Sequence, residues 1–112
     1  MEIQIKDHGG VVVVSVKGDV DASTSEMLQT SFNEQLSNGK YLLVADLKEV
    51  LYMSSAGFRV LLGTMKDARK GGGDLRLAGV QGNVYRVLQK SGFDKFMKFF
   101  KDTELALKTF AA

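Results

Sequence analysis

Short apolar segments of two kinds alternate along the chain, and this alternation constrains the fold more than any other feature. Residues 11–16 form a β-branched run and residues 41–47 are almost entirely apolar, as expected for buried strands. Elsewhere apolar residues recur every three or four positions, the spacing of a helix that buries one face. The first such stripe is Leu28, Phe32 and Leu36, and the second is Phe58, Leu61, Leu62 and Met65. Strands that alternate with helices predict a largely parallel sheet with right-handed crossovers.

The ends of the chain complete this pattern. Ile3 and Ile5 alternate with polar residues and are followed by "HGG", which predicts an antiparallel hairpin with residues 11–16. "DLRLAGV" and "FMKFF" read as two further strands, with a short helix on Val84, Val87 and Leu88 between them. Asp102 or Thr103 is expected to cap a final helix. Residues 1–112 are therefore expected to form a single α/β domain with a mostly parallel sheet, an N-terminal antiparallel hairpin and about four helices.

Local signals indicate where the helices begin and end. Ser23 is followed three residues later by Glu26, which matches a capping box at the start of the first helix. Gly39 stands where a helix C-terminal glycine is expected, and "GGG" at residues 71–73 is expected to end the second helix. Asp46, at the end of a buried strand, is expected to accept hydrogen bonds from nearby backbone N–H groups.

Composition and charge exclude several classes of function. The 112 residues include no cysteine, so a disulfide framework, a thiol nucleophile and a zinc–thiolate site are excluded, and no metal or cofactor is expected. The net charge of +2 is spread along the chain and the densest basic stretches are interrupted by aspartate, which argues against direct nucleic-acid binding. No segment approaches the roughly 18 apolar residues of a membrane span, and no signal peptide is visible. A cytoplasmic protein that does not bind membranes is expected.

The segment "SSAG" at residues 54–57 is the most informative local motif, and three interpretations compete for it. Ser54 or Ser55 could be the N-cap of the second helix. A catalytic serine would need a base, but His8 is the only histidine and Met53 replaces the first glycine of a G-x-S-x-G elbow, which argues against a hydrolase. An uncrowded serine at a helix start could instead accept a phosphate, because the helix N-terminus stabilises negative charge.

Taken together, the hairpin, "GDVDAST", "ADLKEVLYM" and "SSAGFRVLLGTMKDARKGGGDLRLAGV" resemble the STAS domain of bacterial anti-sigma factor antagonists. The most specific part is D-L-x-x-V-x-Y-M-S-S-A-G at residues 46–57. The resemblance implies a non-enzymatic regulator that acts by partner switching. Its unphosphorylated form would bind an anti-sigma factor that is also a serine kinase, and so release the sigma factor. Phosphorylation by that kinase would end the binding, and a PP2C-type phosphatase would restore it.

The resemblance also implies which residues act. Aligned on the glycine, the phosphorylated serine of the family falls on Ser55, whereas Ser54 occupies a position that is frequently acidic and becomes an alternative acceptor. Asp21 matches an aspartate that follows the second strand, and it would either line the docking site or shape the turn and cap the first helix. The expected partner-binding residues are Asp21, Ser23, Thr24, Ser54, Ser55, Ala56, Gly57 and Arg59. The alternative function is a STAS ligand-binding, nucleotide-binding or scaffold module without phosphorylation.

Overall fold

The computed structural model describes residues 1–110 and contains one five-stranded sheet with the strand order β1-β2-β3-β4-β5. The strands are β1 (Glu2–His8), β2 (Val11–Lys17), β3 (Leu42–Glu49), β4 (Asp74–Ala78) and β5 (Phe99–Phe100). The helices are α1 (Thr24–Ser37), α2 (Ser55–Lys70), α3 (Gly82–Lys90) and α4 (Thr103–Lys108), and a 3₁₀ turn at Phe93–Lys95 precedes β5. This order confirms the predicted fold class.

The sheet combines one antiparallel pair with three parallel pairs. β1 and β2 pair antiparallel in an unbroken register from Glu2–Lys17 to His8–Val11, whereas the β2–β3, β3–β4 and β4–β5 pairs are parallel. The hairpin is closed by Gly9 and Gly10, whose φ angles of 64° and 95° are both positive. Two consecutive positive φ angles are the requirement of a type I′ turn, which explains the two glycines.

Side chains alternate between two apolar cores on the two faces of the sheet. The larger core contains Val12, Val14 and Val16 of β2, with buried residues from α1, α2 and α3. The smaller core contains Val11 and Val13 from the same strand, and Ala106 of α4 covers it. Because β2 is buried on both faces, its β-branched run has no polar alternation.

Three of the predicted helix ends are confirmed. The helix α2 ends at Lys70 with Gly71 as its C-cap, as the three glycines predict. Gly39 adopts φ 76° after α1, and its N–H donates to the carbonyl of Leu36 at 3.0 Å. Asp102 caps α4, since its carboxylate accepts from the N–H of Leu105 at 2.9 Å. The predicted capping box is wrong: the Ser23 side chain caps no N–H, because this residue already has helical angles (φ −79°, ψ −41°) rather than the extended backbone of an N-cap.

The predicted core stripe of α2 is only partly correct. Leu61 and Met65 are buried, but Phe58 and Leu62 are only half-buried. The residues that complete the buried face are Gly57, Val60, Thr64 and Ala68. The helix therefore turns its small and β-branched residues toward the sheet. "FMKFF" likewise contributes only Phe99 and Phe100 to a strand.

Candidate functional site

The loops that follow β2 and β3 run side by side and continue the pairing of these parallel strands. Val20 forms an isolated parallel bridge with Met53. The Val20 N–H donates to the carbonyl of Tyr52 at 3.0 Å, and the Ser54 N–H donates to the carbonyl of Val20 at 2.8 Å. Asp21 and Ser54 each come directly after a bridge residue. The structure therefore brings the aspartate loop and the start of α2 together at the carboxyl edge of the sheet.

Gly57 allows α2 to begin close to this bridge. A Cβ at this position would lie 2.6 Å from Cγ of Met53 and 2.9 Å from Cγ1 of Val20, both shorter than real Cβ contacts. Val20 is fully buried and Met53 is 6% exposed. Only glycine fits at this point of α2 without displacing one of these two side chains.

The two serines of the motif occupy different environments. Ser54 is the N-cap of α2: its backbone is extended (φ −77°, ψ 169°), it is half-buried, and its hydroxyl accepts from the Gly57 N–H at 3.4 Å. Ser55 is the first residue of the helix and is exposed, and its hydroxyl makes no hydrogen bond with any residue in the range 1–110. The cap interpretation therefore applies to Ser54, and the Ser55 hydroxyl is left open to solvent.

Asp21 organises the loop that precedes α1. Its Oδ1 accepts from the Ser23 N–H at 3.0 Å, the Ser23 hydroxyl at 2.8 Å and the Thr24 N–H at 2.9 Å. The Thr24 backbone bond, followed by the Ser23 and Thr24 side-chain bonds, lowers the pKa of Asp21 from its ordinary value of 3.8 to about 2. Asp21 rather than Ser23 thus accepts from the first N–H groups of α1, and it is an exposed, ionised carboxylate at neutral pH.

The remaining predicted residues lie around this pair of loops. Arg59 is exposed one turn into α2, and Ala56 and Thr24 are half-buried. The hydroxyl of Thr24 accepts from the Asp21 N–H at 2.8 Å, and it can donate to the Asp19 carbonyl at 3.0 Å or to Asp21 Oδ1 at 3.1 Å. Gly57 is buried against Met53. The exposed members of the set are therefore Asp21, Ser23, Ser55 and Arg59.

Sequence reasoning missed the apolar side chains that are exposed beside these loops. Leu51 is 76% exposed and Tyr52 is 50% exposed, and both lie in the loop that leads to Met53. Met27, in the first turn of α1, is 51% exposed. The signal was the apolar run "VLYM" at residues 50–53, which lies after the end of β3, where a solvated loop would be polar. Exposed apolar side chains that cluster on a surface mark protein-binding sites, whereas scattered single ones are normal.

The positions of His8 and Asp46 bear on the catalytic alternative. His8 pairs with Val11 at the start of β2, whereas Ser54 and Ser55 lie beyond the opposite end of this strand. The seven residues of the strand separate His8 from the serines by roughly 20 Å. The only imidazole in the chain therefore cannot act on Ser55.

Asp46 has the structural role predicted for it, since it is 6% exposed and accepts from the Lys48 N–H at 3.2 Å. Within residues 1–110, no group of three or more His, Asp or Glu side chains could hold a metal ion, and no helix could span a membrane.

A comparison of the sequence with models of protein families agrees with both the architecture and the loop motif. The family model of the STAS domain matches residues 2–106, which is almost the whole chain. The chain belongs to the STAS domain family. This STAS domain is 31% identical over 108 residues to the anti-sigma F factor antagonist of Paenibacillus polymyxa, a match that covers 96% of this chain and 92% of the relative.

Solved structures give the same result for the fold. This STAS domain superimposes on an anti-sigma factor antagonist from Mycobacterium paratuberculosis with a TM-score of 0.88 at 28% identity, covering 96% of this chain and 92% of the other. It also matches the phosphorylated form of the Bacillus cell fate determinant SpoIIAA, with a TM-score of 0.77 at 19% identity over 96% of this chain and 99% of the other. The second likeness is one of fold.

Proposed function

We propose that this STAS domain is an anti-sigma factor antagonist that works by partner switching, with Ser55 as the phosphorylated residue. Its unphosphorylated form binds an anti-sigma factor that is also a serine kinase, and thereby frees a sigma factor. Transfer of the γ-phosphoryl group of ATP to Ser55 Oγ, with loss of the hydroxyl proton and release of ADP, ends the binding. A PP2C-type phosphatase hydrolyses the phosphate ester and restores the antagonist.

The observation that carries this proposal is the difference between the two serines. Ser55 presents an exposed hydroxyl that is not used by the fold, whereas the Ser54 hydroxyl caps α2. A kinase can reach Ser55 without opening the structure. A phosphate there lies at the N-terminus of a 16-residue helix, where the macrodipole and free N–H groups stabilise negative charge.

The charge of the site explains why phosphorylation would release the partner and not unfold the domain. The phosphate adds about −1.5 to −2 charge units at pH 7. Asp21 follows the residue that is bridged to Met53, and its exposed carboxylate already carries one negative charge at neutral pH. In the proposed complex the partner covers Ser55, so a phosphate there would have to enter an interface that closes around a neutral hydroxyl. Burying a charge without a partner costs free energy, and an acidic group of the partner that faces Ser55 would add repulsion.

The exposed apolar side chains beside the site provide the rest of the proposed contact surface. We define the docking surface as Asp21, Met27, Leu51, Tyr52 and Ser55. It combines an apolar part that gains free energy when covered with the residue whose charge changes. The partner would therefore contact the side chains that supply affinity and the side chain that controls it at the same time.

Mass spectrometry of the protein purified from its native cells tests the acceptor directly. Trypsin cleavage after Lys48 and Arg59 yields a peptide of residues 49–59 whose only serines are Ser54 and Ser55. We expect one phosphate on this peptide, assigned to Ser55 by fragmentation between the two serines and removed by phosphatase. Phosphate on Ser54 would contradict the assignment to Ser55.

Binding measurements with the anti-sigma factor kinase of the same organism test the switch. Ser55→Asp should bind at least tenfold more weakly than the wild type, which corresponds to about 1.4 kcal/mol. Ser55→Ala should bind as tightly as the wild type and resist phosphorylation by the kinase and ATP. The matched control is Ser54→Ala, which should still be phosphorylated. Wild-type affinity of Ser55→Asp would refute the mechanism, and saturable nucleotide binding at these loops without phosphorylation would support a ligand-binding module instead.

A further inference from the structure

The outer edge of β1 is an open row of backbone hydrogen-bonding groups. β1 stands at one end of the sheet order, and within residues 1–110 it pairs only with β2. It is seven residues long, and every residue except Ile3 is exposed. A long exposed edge strand is a template for pairing with another strand unless its sequence prevents this.

The hairpin register determines which residues of β1 direct their backbone to that edge. The turn has two residues, so the flanking pair His8–Val11 exchanges both hydrogen bonds. Because the hydrogen-bonded and non-bonded pairs alternate, Lys6, Gln4 and Glu2 also bond inward to β2. The N–H and C=O groups of Ile3, Ile5 and Asp7 therefore point outward.

We propose that β1 pairs antiparallel with β1 of a second copy of this chain, with Gln4 on the two-fold axis. In this register Ile3 lies opposite Ile5 of the second copy, and these residues exchange the outward hydrogen bonds. Glu2 lies opposite Lys6 of the second copy in a non-bonded pair, where cross-strand side chains come closest. The symmetry generates each of these contacts twice.

Alternative registers are less complementary. Moving the axis to Ile5 places Ile3 opposite Asp7 and separates Glu2 from Lys6. Moving it to Lys6 places two lysines directly opposite each other, which is unfavourable. Moving it to Ile3 shortens the paired segment and also removes the opposition of Glu2 and Lys6. The charge pattern thus favours the register with Gln4 on the two-fold axis. A lysine on an edge strand opposes pairing with other strands, and only in this register is the charge of Lys6 neutralised, by Glu2 of the second copy.

Burial and symmetry agree with this arrangement. Ile3 and Ile5 lie opposite Val16 and Val14, so they stand on the sheet face that carries the larger core. Ile5 is 41% exposed in the single chain and would be covered by Ile3 of the second copy. A two-fold axis through Gln4, perpendicular to the sheet, creates a continuous ten-stranded sheet. Because the two copies are antiparallel, their docking surfaces lie at opposite ends and both remain free.

Sedimentation equilibrium of the full chain tests the dimer through charge reversal. We expect the wild type to form a concentration-dependent dimer, and Glu2→Lys or Lys6→Glu to raise its dissociation constant at least tenfold. An equimolar mixture of these two variants should dimerise like the wild type, since each reversed charge then meets its complement on the other chain. The double variant Glu2→Lys/Lys6→Glu should also dimerise like the wild type.

Controls separate a change of pairing from a change of stability or net charge. Asp67→Lys on α2 changes the net charge by the same amount as Glu2→Lys and should leave the dimer intact. The melting temperature of each variant verifies that it is folded. A wild type that stays monomeric up to a concentration of about 1 mM, and so has a dimer dissociation constant well above about 1 mM, would overturn the proposal. A dimer that ignores both reversals, or variants that fail to rescue each other in the mixture, would overturn it equally.

Discussion

The close approach of α2 to the Val20–Met53 bridge leads to a quantitative prediction for Gly57→Ala. In an ordinary helix, replacing glycine with alanine stabilises a protein by about 1 kcal/mol. Here the new methyl group would lie 2.6 Å from Cγ of Met53 and 2.9 Å from Cγ1 of Val20. Overpacking of this kind costs about 1–3 kcal/mol. Val20 cannot relieve it easily, because it is fully buried and its side chain is stiff at χ1.

We therefore expect Gly57→Ala to lower the free energy of unfolding by about 1 kcal/mol, the difference between the midpoint of that cost and the gain in helix propensity. Gly63 provides a matched control in the same helix, since a Cβ there would meet no atom within 4 Å. Gly63→Ala should raise the free energy of unfolding by about 0.5–1 kcal/mol.

Thermal unfolding of the two variants beside the wild type measures the contrast. A change of 1 kcal/mol moves the melting temperature of a domain of about 100 residues by about 4–8 °C, so the variants should shift in opposite directions by resolvable amounts. If Gly57→Ala were as stable as Gly63→Ala, the steric argument for glycine at this position would be refuted. Binding of the anti-sigma factor should also weaken in Gly57→Ala, because the bridge that aligns the two site loops is displaced.

Three further predictions follow from other parts of the structure. Hydrogen bonds from Thr24 and Ser23 lower the pKa of Asp21 to about 2, so its stabilising effect is complete above the ordinary value of 3.8 and is lost as the pH falls toward 2. Asp21→Asn should thus flatten the acid limb of stability, measured as urea midpoints between about pH 2 and 6, and an unchanged limb would contradict this. The buried carboxylate of Asp74 is bonded to Nε of Arg69 at 2.9 Å and to Nε of Arg76 at 3.2 Å. Asp74→Ala should therefore lower the free energy of unfolding, measured in urea, by about 3 kcal/mol. A loss below about 1 kcal/mol would show that the two arginines find other partners. Leu51 is exposed, so Leu51→Ser should change the free energy of unfolding by less than about 0.5 kcal/mol. The same variant should weaken anti-sigma factor binding at least tenfold in calorimetry. Unaltered binding would exclude Leu51 from the docking surface.

The fold was predictable because each element carries its own periodic signal. Residues 11–16 are valine at every position except Ser15, as expected for a strand that is buried on both faces, and the glycines at 9, 10 and 39 stand where positive φ angles are needed. The capping of α1 was not predictable in the same way. Ser23 and Asp21 are both able to cap, and the outcome depends on the backbone angles of Ser23, which the order of residue types does not determine.

The side-chain packing around the candidate site could not be predicted from the sequence either. Gly57 reads as a small residue near a helix start, and only the distances to Val20 and Met53 show that a methyl group does not fit. Leu51 and Tyr52 belong to an apolar run that composition alone assigns to a core, yet both face solvent. Periodicity predicts which face of an element is buried, but a loop has no period, and so its apolar residues are located only by the three-dimensional structure.

The division of work between the two serines gives the proposed switch its physical basis. The Ser54 hydroxyl is half-buried and accepts from the Gly57 N–H, so a phosphate ester on Ser54 would alter the group that caps α2. Ser55 lies one residue further and is exposed, and its hydroxyl makes no hydrogen bond with any residue in the range 1–110. A phosphate on Ser55 would therefore change the charge of the docking surface while the cap, the bridge and the core stay as they are. Such a domain would bind or release its partner in response to one covalent bond, with its stability nearly the same in both states.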